Sequence, residues 1–240
     1  MLKDFKVKIF ADGADLENIK FLSTKTYIKG FTTNPSLMRK KGVSDYKNFA
    51  LEVLKNCQNK PVSFEIFADD LGDMERQAIE ISKWGENVNV KIPVTNTKGE
   101  STKELIKALS ERKIICNITA ILTIEQLKTI VNALDVNTPA ILSIFAGRIA
   151  DTGINPSPIM AEAVKIAKSK PKSQILWAST RELFNIFQAE STGCQIITIP
   201  HDIINKFHLL GKDLTDLSLE TVKTFYKDAK SAGFKIDIND

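Results

Sequence analysis

Two histidines and three cysteines are all that this sequence of 240 residues holds of the side chains that most often bind transition metals or run redox chemistry. His201 and His208 stand beside no candidate nucleophile, which argues against a histidine-driven mechanism, and no role is assigned to His201. Cys57, Cys116 and Cys194 are odd in number, widely spaced and free of any C-x-x-C pairing. That pattern speaks against a disulfide framework or a zinc site and for a reducing compartment, with each cysteine read as a small buried hydrophobe. The opening MLKDFKVKIF lacks the apolar stretch of a signal peptide, and no hydrophobic run is long enough to cross a bilayer, so a cytoplasmic protein without membrane contact is expected. Neither sign of charge dominates: 33 basic residues face 29 acidic ones along the whole chain, for a net charge of +4. This balance excludes a nucleic-acid surface as the expectation but suits small anionic molecules. Linkers, low-complexity stretches and exact repeats are missing too, so residues 1–240 are read as one domain.

What is present is alternation. Short β-branched or aromatic runs at 7–11, 28–33, 61–67, 87–94, 113–119, 139–147, 174–179 and 194–199 are separated each time by a helical pattern. Helical segments are expected at 16–22, 44–57, 69–85, 101–112, 123–134, 157–169 and 180–191, most opened by a Ser, Thr or Asp able to cap a helix. The spelling of a capping box is clearest in STKE (101–104) and TIEQ (123–126). An extra C-terminal helix is expected at about 218–234. Eight strand–helix units in this length predict an α/β fold, a closed (β/α)8 TIM barrel. A doubly wound open sheet competes, but it would carry a Gly-rich fingerprint after its first strand, where FADGADLENI has a single glycine.

The fourth strand, VNVKIPVT (88–95), sets a lysine inside a buried-strand pattern. Val88, Val90, Ile92 and Val94 share one face and Lys91 lies on the other. A solvated edge strand would explain it alone. Read by parity, however, most strands place apolar sets toward the helices (Val7, Ile9, Ala11; Val62, Phe64, Ile66; Val88, Val90, Ile92; Ile114, Cys116, Ile118) and a different set inward. That inward set is Asp12, Ser63, Glu65, Lys91, Asn117, Thr119, Ser143, Phe145 and Ser179, with Thr33 and Asn34 at the end of the second strand. An interior packed for stability alone would hold branched aliphatics there. Singly, Asp12-Gly13 reads as an Asx turn, Asn34-Pro35 as a turn initiator, and Glu65 as a structural partner for Lys91. Jointly they point to a site.

A lysine held in low dielectric loses preference for its cation, and the neutral amine can attack a carbonyl to form a Schiff base. A nearby carboxyl can supply the proton transfers. Arginine is scarce, five in all, and two of the five, Arg148 and Arg181, follow the sixth and seventh strands. Their planar forks suit phosphate, although each could equally form an ordinary salt bridge at a helix start.

These residues resemble the transaldolase family, in particular its short-chain, fructose-6-phosphate aldolase-like branch. The likeness runs in order through FADGAD (10–15), GFTTNPSLM (30–38), SFEIFADD (63–70), VKIPVT (90–95), NITAILT (117–123), SIFAGRIAD (143–151) and ASTRE (178–182). The resemblance implies a (β/α)8 barrel, Schiff-base chemistry, no cofactor and no metal. It makes Lys91 the imine-forming amine, Asp12 the general acid/base, and Glu65 with Thr119 the holders of a relay water. Asn34, Asn117 and Ser143 would bind the dihydroxyacetone unit, Thr33, Ser63, Phe145 and Ser179 would line the same pocket, and Arg148 and Arg181 would grip the sugar phosphate. The implied reaction moves a three-carbon unit from sedoheptulose 7-phosphate or fructose 6-phosphate to an aldose phosphate in the pentose phosphate pathway. Two alternatives stand: an aldolase that releases dihydroxyacetone, and a non-catalytic sugar-phosphate binding barrel. Phe145, where the aldolase branch tends to carry tyrosine, favours transfer. The resemblance also implies a homo-oligomer, a pentamer or decamer, with the last helix reaching a neighbour.

Overall fold

The structure is a computed structural model that describes residues 5–57 and 59–236; the expected domain 1–240 extends beyond it at residues 1–4, 58 and 237–240. Eight parallel strands close on themselves in chain order: β1 (Lys8–Asp12), β2 (Ile28–Thr32), β3 (Val62–Glu65), β4 (Val88–Pro93), β5 (Cys116–Ile121), β6 (Ala140–Ile144), β7 (Ser173–Trp177) and β8 (Ile196–Pro200). Around them run α1 (Leu16–Ser23), α2 (Pro35–Lys40), α3 (Tyr46–Asn56), α4 (Leu71–Ser82), α5 (Lys103–Glu111), α6 (Ile124–Ala133), α7 (Ala146–Asp151), α8 (Ser157–Ala167), α9 (Asn185–Thr192), α10 (His201–Ile204) and α11 (Leu214–Ser231). This is the (β/α)8 barrel that the alternation predicts.

Two cores hold it. Between strands and helices, the outward residues Ile9, Val62, Phe64, Val90, Ile92, Cys116 and Ile118 join one continuous apolar cluster with the helix faces. Inside the barrel, Phe10, Ile141, Leu176 and Ile196 form a smaller plug. Gly30 makes room for it: a Cβ there would lie 2.6 Å from the ring of Phe10. The plug closes the lower barrel, so the polar inward residues above it stand on an apolar floor. All three cysteines are free and buried, and burial pushes their thiols up to about 11 (Cys57, Cys194) and about 12 (Cys116). Among the described residues, no helix is long and apolar enough to cross a membrane.

Several local expectations need correction. Asn34-Pro35 starts a helix, because proline at a first helical position has no amide hydrogen to waste and already holds the helical φ. The capping box forms at TIEQ, where Thr123 and Gln126 bond reciprocally, but not at STKE. There the Thr102 hydroxyl donates to the Pro93 carbonyl at 2.7 Å and ties α5 to the end of β4. The fifth strand begins three residues late. Lys113 (φ 64°) still belongs to the exit from α5, and a left-handed Ala120 (φ 60°) shifts the β5–β6 register between Ile118 and Ile121. The segment 180–191 becomes helical only from Asn185, and the last helix spans Leu214–Ser231, started by the Asp213 side chain on the amides of Thr215 and Asp216.

Candidate active site

Strand β4 carries Lys91 through the barrel wall to the inside, where the residue is 8 % exposed. Its Nζ donates to the Thr33 carbonyl (3.0 Å) and pairs with Glu65 Oε2 (3.1 Å), the residue directly across the β3–β4 register. Tyr46 donates to the Glu65 carbonyl at 3.0 Å and anchors the end of β3. A cavity of about 650 Å³ opens above Lys91, and Asp12, Asn34, Glu65, Thr119, Ser143, Phe145, Arg148, Ser179 and Arg181 also line it. Ten of the thirteen site residues expected from the sequence therefore share one cavity.

Asp12, at the end of β1, accepts from the Thr32 hydroxyl (2.8 Å) and from Asn34 Nδ2 (3.3 Å). Burial raises its pKa above the ordinary aspartate value, and the attraction of Lys91 with those two hydrogen bonds offsets only part of the effect. A carboxyl held this way can take and return a proton. Thr119, inward by the same parity as Asn117, lines the cavity just before the left-handed Ala120, and its Oγ1 is buried without a hydrogen-bond partner among the described residues. Buried hydroxyls are normally bonded, so this one fits a ligand or a relay water.

Thr33, Ser63 and Asn117 do not line the cavity. They are fully buried just beneath it. The Thr33 hydroxyl donates to the Ser63 carbonyl (3.0 Å), Asn117 Nδ2 donates to Ser63 Oγ (2.9 Å), and Ser143 Oγ donates to Asn117 Oδ1 (2.6 Å). Parity alone assigns these side chains to the inner face but not to a depth along the strand axis. The chain has a chemical consequence: the only hydrogen of Ser143 is committed downward, so its lone pairs are left to accept from a hydroxyl or amide donor in the cavity.

The rim is cationic. The Arg148 guanidinium lies over the Phe145 ring at 5.3 Å, and Arg181 forms a fork with Asp151, Nε to Oδ1 at 3.1 Å and Nη2 to Oδ2 at 2.5 Å. Asn185 Oδ1 accepts from the amides of Arg181 and Glu182, which shapes the loop before α9. Ser179 (φ 63°) occupies a left-handed conformation that side chains rarely adopt, and Gly147 of α7 packs against it so closely that a Cβ would meet the Ser179 carbonyl oxygen at 1.6 Å.

Sequence reasoning missed Thr32, Ser36, Lys40, Ala120, Ala178, Thr180, Thr198 and Pro200, all of which also line the cavity. A signal existed for Thr198, the one polar residue in the apolar run IITI of the eighth strand. No such signal exists for Lys40, which reaches the rim only because α2 forms. Asp151 and Asn185 act by holding other residues, and spacing does not reveal that. Among the described residues, no group of three or more His, Cys, Asp or Glu side chains is placed to hold a metal ion.

The Transaldolase/Fructose-6-phosphate aldolase family matches residues 9–238. A probable transaldolase from Dehalococcoides mccartyi is 34% identical over 226 residues, spanning 94% of this chain and 99% of that one. A second, from Thermoanaerobacter sp., is 31% identical over 231 residues, spanning 96% and 100%. A crystal structure of a Burkholderia cenocepacia protein, described only as a lyase/mutase, shares the fold with a TM-score of 0.57 at 12% identity, covering 95% of this chain and 85% of that one. With its length matched from the first strand to the last helix, the chain belongs to the transaldolase/fructose-6-phosphate aldolase family.

Proposed function

We propose that the protein is a transaldolase of the Schiff-base type, a transferase that acts on sugar phosphates of the pentose phosphate pathway without a cofactor. The observation that carries this reading is Lys91, enclosed in a closed barrel with Glu65 at 3.1 Å and sharing one cavity with Asp12. The neutral amine adds to the ketose carbonyl, and Glu65 with Thr119 Oγ1 holds the water that moves protons as the carbinolamine loses hydroxide and becomes an iminium. Asp12 takes the C4 hydroxyl proton while the C3–C4 bond breaks. The bond electrons flow into the iminium, an enamine remains on Lys91, and an aldose phosphate leaves. Addition to an acceptor aldose phosphate reverses these steps, with Asp12 returning the proton.

Phe145 supports transfer over release. It presents an apolar ring to the cavity and offers no hydroxyl to protonate the enamine, the step that would free dihydroxyacetone. Ser143 and Asn34 support binding of the three-carbon unit, and Arg148 and Arg181 support binding of the phosphate. Assembly into a homo-oligomer, a pentamer or decamer, belongs to the same reading and is supported by α11, none of whose residues is buried. A cytoplasmic location agrees with the three reduced, buried cysteines.

The test is borohydride reduction with fructose 6-phosphate, followed by peptide mass analysis. A three-carbon adduct on the peptide bearing Lys91, absent from K91M, is expected; an adduct elsewhere, or none, overturns the reading. Erythrose 4-phosphate should raise the rate of donor cleavage, and predominant release of dihydroxyacetone in its presence would make the protein an aldolase.

A further inference from the structure

A second hydroxyl lies behind the one that touches Asp12. Thr32 Oγ1 is 2.8 Å from Asp12 Oδ1 and 2.6 Å from Thr198 Oγ1, which is buried on the inner face of β8. Thr32 owns one hydroxyl hydrogen. When Asp12 is ionised its Oδ1 can only accept, so Thr32 must spend that hydrogen on Asp12, and Thr198 must then be the donor to Thr32. The chain runs one way, Thr198 to Thr32 to Asp12 Oδ1.

The reverse order would put the acid proton on Oδ1, turn Thr32 toward Thr198 and send the Thr198 hydrogen into the cavity that Thr198 lines, so both hydroxyls would have to turn, whereas a proton on Oδ2 requires neither to move. The backbone of Thr198 is separately held, its carbonyl accepting from Thr180 Oγ1 at 2.7 Å, so the side chain is not needed to keep the strand in place.

We propose that Thr198 is a positioning residue: by donating to Thr32 it polarises and strengthens the hydrogen bond that Thr32 gives to Oδ1 of Asp12, which keeps Oδ2 as the oxygen that exchanges a proton with the substrate. This rests on Asp12 being the acid/base of the proposed reaction. Other groups also act on Asp12. Lys91 from β4 and Glu65 from β3 act through charge, Asn34 through its bond to Oδ2, and Lys40, Arg148 and Arg181 line the same cavity. His201 and Asp15 border a small cavity on its other side. The Thr32 hydroxyl donates to Oδ1 and Asn34 donates to Oδ2, so the threonine pair acts on Oδ1.

The experiment compares wild type, Thr198→Val, which keeps the shape and loses the hydroxyl, and Thr198→Ser, which keeps the hydroxyl. In T198V, kcat should fall about ten-fold with KM unchanged within about two-fold, because Thr32, no longer polarised by a donor behind it, gives Oδ1 a weaker hydrogen bond and holds the Asp12 carboxylate less firmly. The acidic limb of kcat/KM should move to higher pH, and T198S should restore both. A carboxyl titration of Asp12 in ligand-free protein by isotope-labelled NMR, with Asp12→Asn to assign the signal, should give a higher value in T198V than in wild type or T198S. The inference is overturned if T198V matches wild type in rate profile and titration, or if T198S is as impaired as T198V. The titration reads the hydroxyl chain without turnover, whereas a wild type that forms no imine on Lys91 would sink the functional reading and leave the titration interpretable. Thermal unfolding of each variant separates loss of fold from loss of the chain.

Discussion

At the scale of single residues, the charges in the cavity set its behaviour. Asp12 is worse off ionised in the fold than in water, because burial outweighs the help of Lys91, Thr32 and Asn34. A carboxyl with a raised folded pKa costs nothing below its unfolded value near 3.8; the cost grows as pH rises from there through the folded value and is complete above it. Asp12→Asn removes that cost. At neutral pH it should unfold at a higher temperature than wild type, by about 2–4 °C for each kcal/mol recovered, while transfer falls by at least about a hundred-fold. At pH near 3 the two should unfold alike. A lower unfolding temperature for D12N at pH 7 would mean that the hydrogen bonds of Asp12 outweigh its burial. Glu65→Gln acts in the opposite direction on stability: it leaves the Lys91 ammonium, with its side chain only 10% exposed, without the Glu65 counter-ion, at a cost of about 3–5 kcal/mol in denaturant titration. The same variant should slow imine trapping more than it weakens substrate binding, since Glu65 is assigned to proton relay. Most of these residues were legible from parity and spacing. The depth at which Ser63, Thr33 and Asn117 end was not, because a period of two tells the face of a strand and says nothing of how far below the mouth each rung sits.

Between elements, the cationic rim proposed to hold phosphate depends on one close approach. Gly147 in the first turn of α7 lies against the Ser179 carbonyl, and this contact joins α7, which bears Arg148, to the loop bearing Arg181. A methyl group cannot be accommodated at 1.6 Å from backbone, so Gly147→Ala must push α7 and the Ser179 loop apart. It should destabilise the protein by about 2 kcal/mol or more and raise KM for fructose 6-phosphate about ten-fold, with a smaller change in kcat. Steady-state kinetics on G147A with an unphosphorylated acceptor such as glyceraldehyde provides the control, because that substrate does not need the rim. Equal losses for both substrates would place the damage in the barrel as a whole. The glycine is visible in SIFAGRIAD, but its reason is not. Ser179 lies on a different strand–helix unit, and only the closed ring brings the two together.

For the whole molecule, the unresolved balance is α11. Leu219, Val222, Phe225 and Tyr226 are 53%, 59%, 67% and 70% exposed on a helix with no buried residue. An 18-residue helix gains most of its stability from packing an amphipathic face, so such a face requires a cover. A second copy of the chain is the proposed cover, and a closed ring would satisfy every copy in the same way. Light scattering should give a multiple of 26.7 kDa for wild type and a mass near 26.7 kDa for the double variant Val222→Asp, Phe225→Asp. A wild type at the single-chain mass would remove the oligomer from the proposal.

Alternation of β-branched runs with capped helical segments determined the barrel by itself, because local propensity and hydrophobic period are properties of neighbours in sequence. The same alternation determined that Lys91, Asp12 and Glu65 face inward, since each stands opposite an apolar set that must meet the helices. Tertiary structure alone decided that Lys91 meets Glu65 across the β3–β4 register, that Thr198 stands behind Thr32, and that Asp151 engages Arg181. Those contacts join residues from 26 to 166 positions apart, and strand register and ring closure, which bring them within hydrogen-bond reach, are set by the packing of all eight units at once.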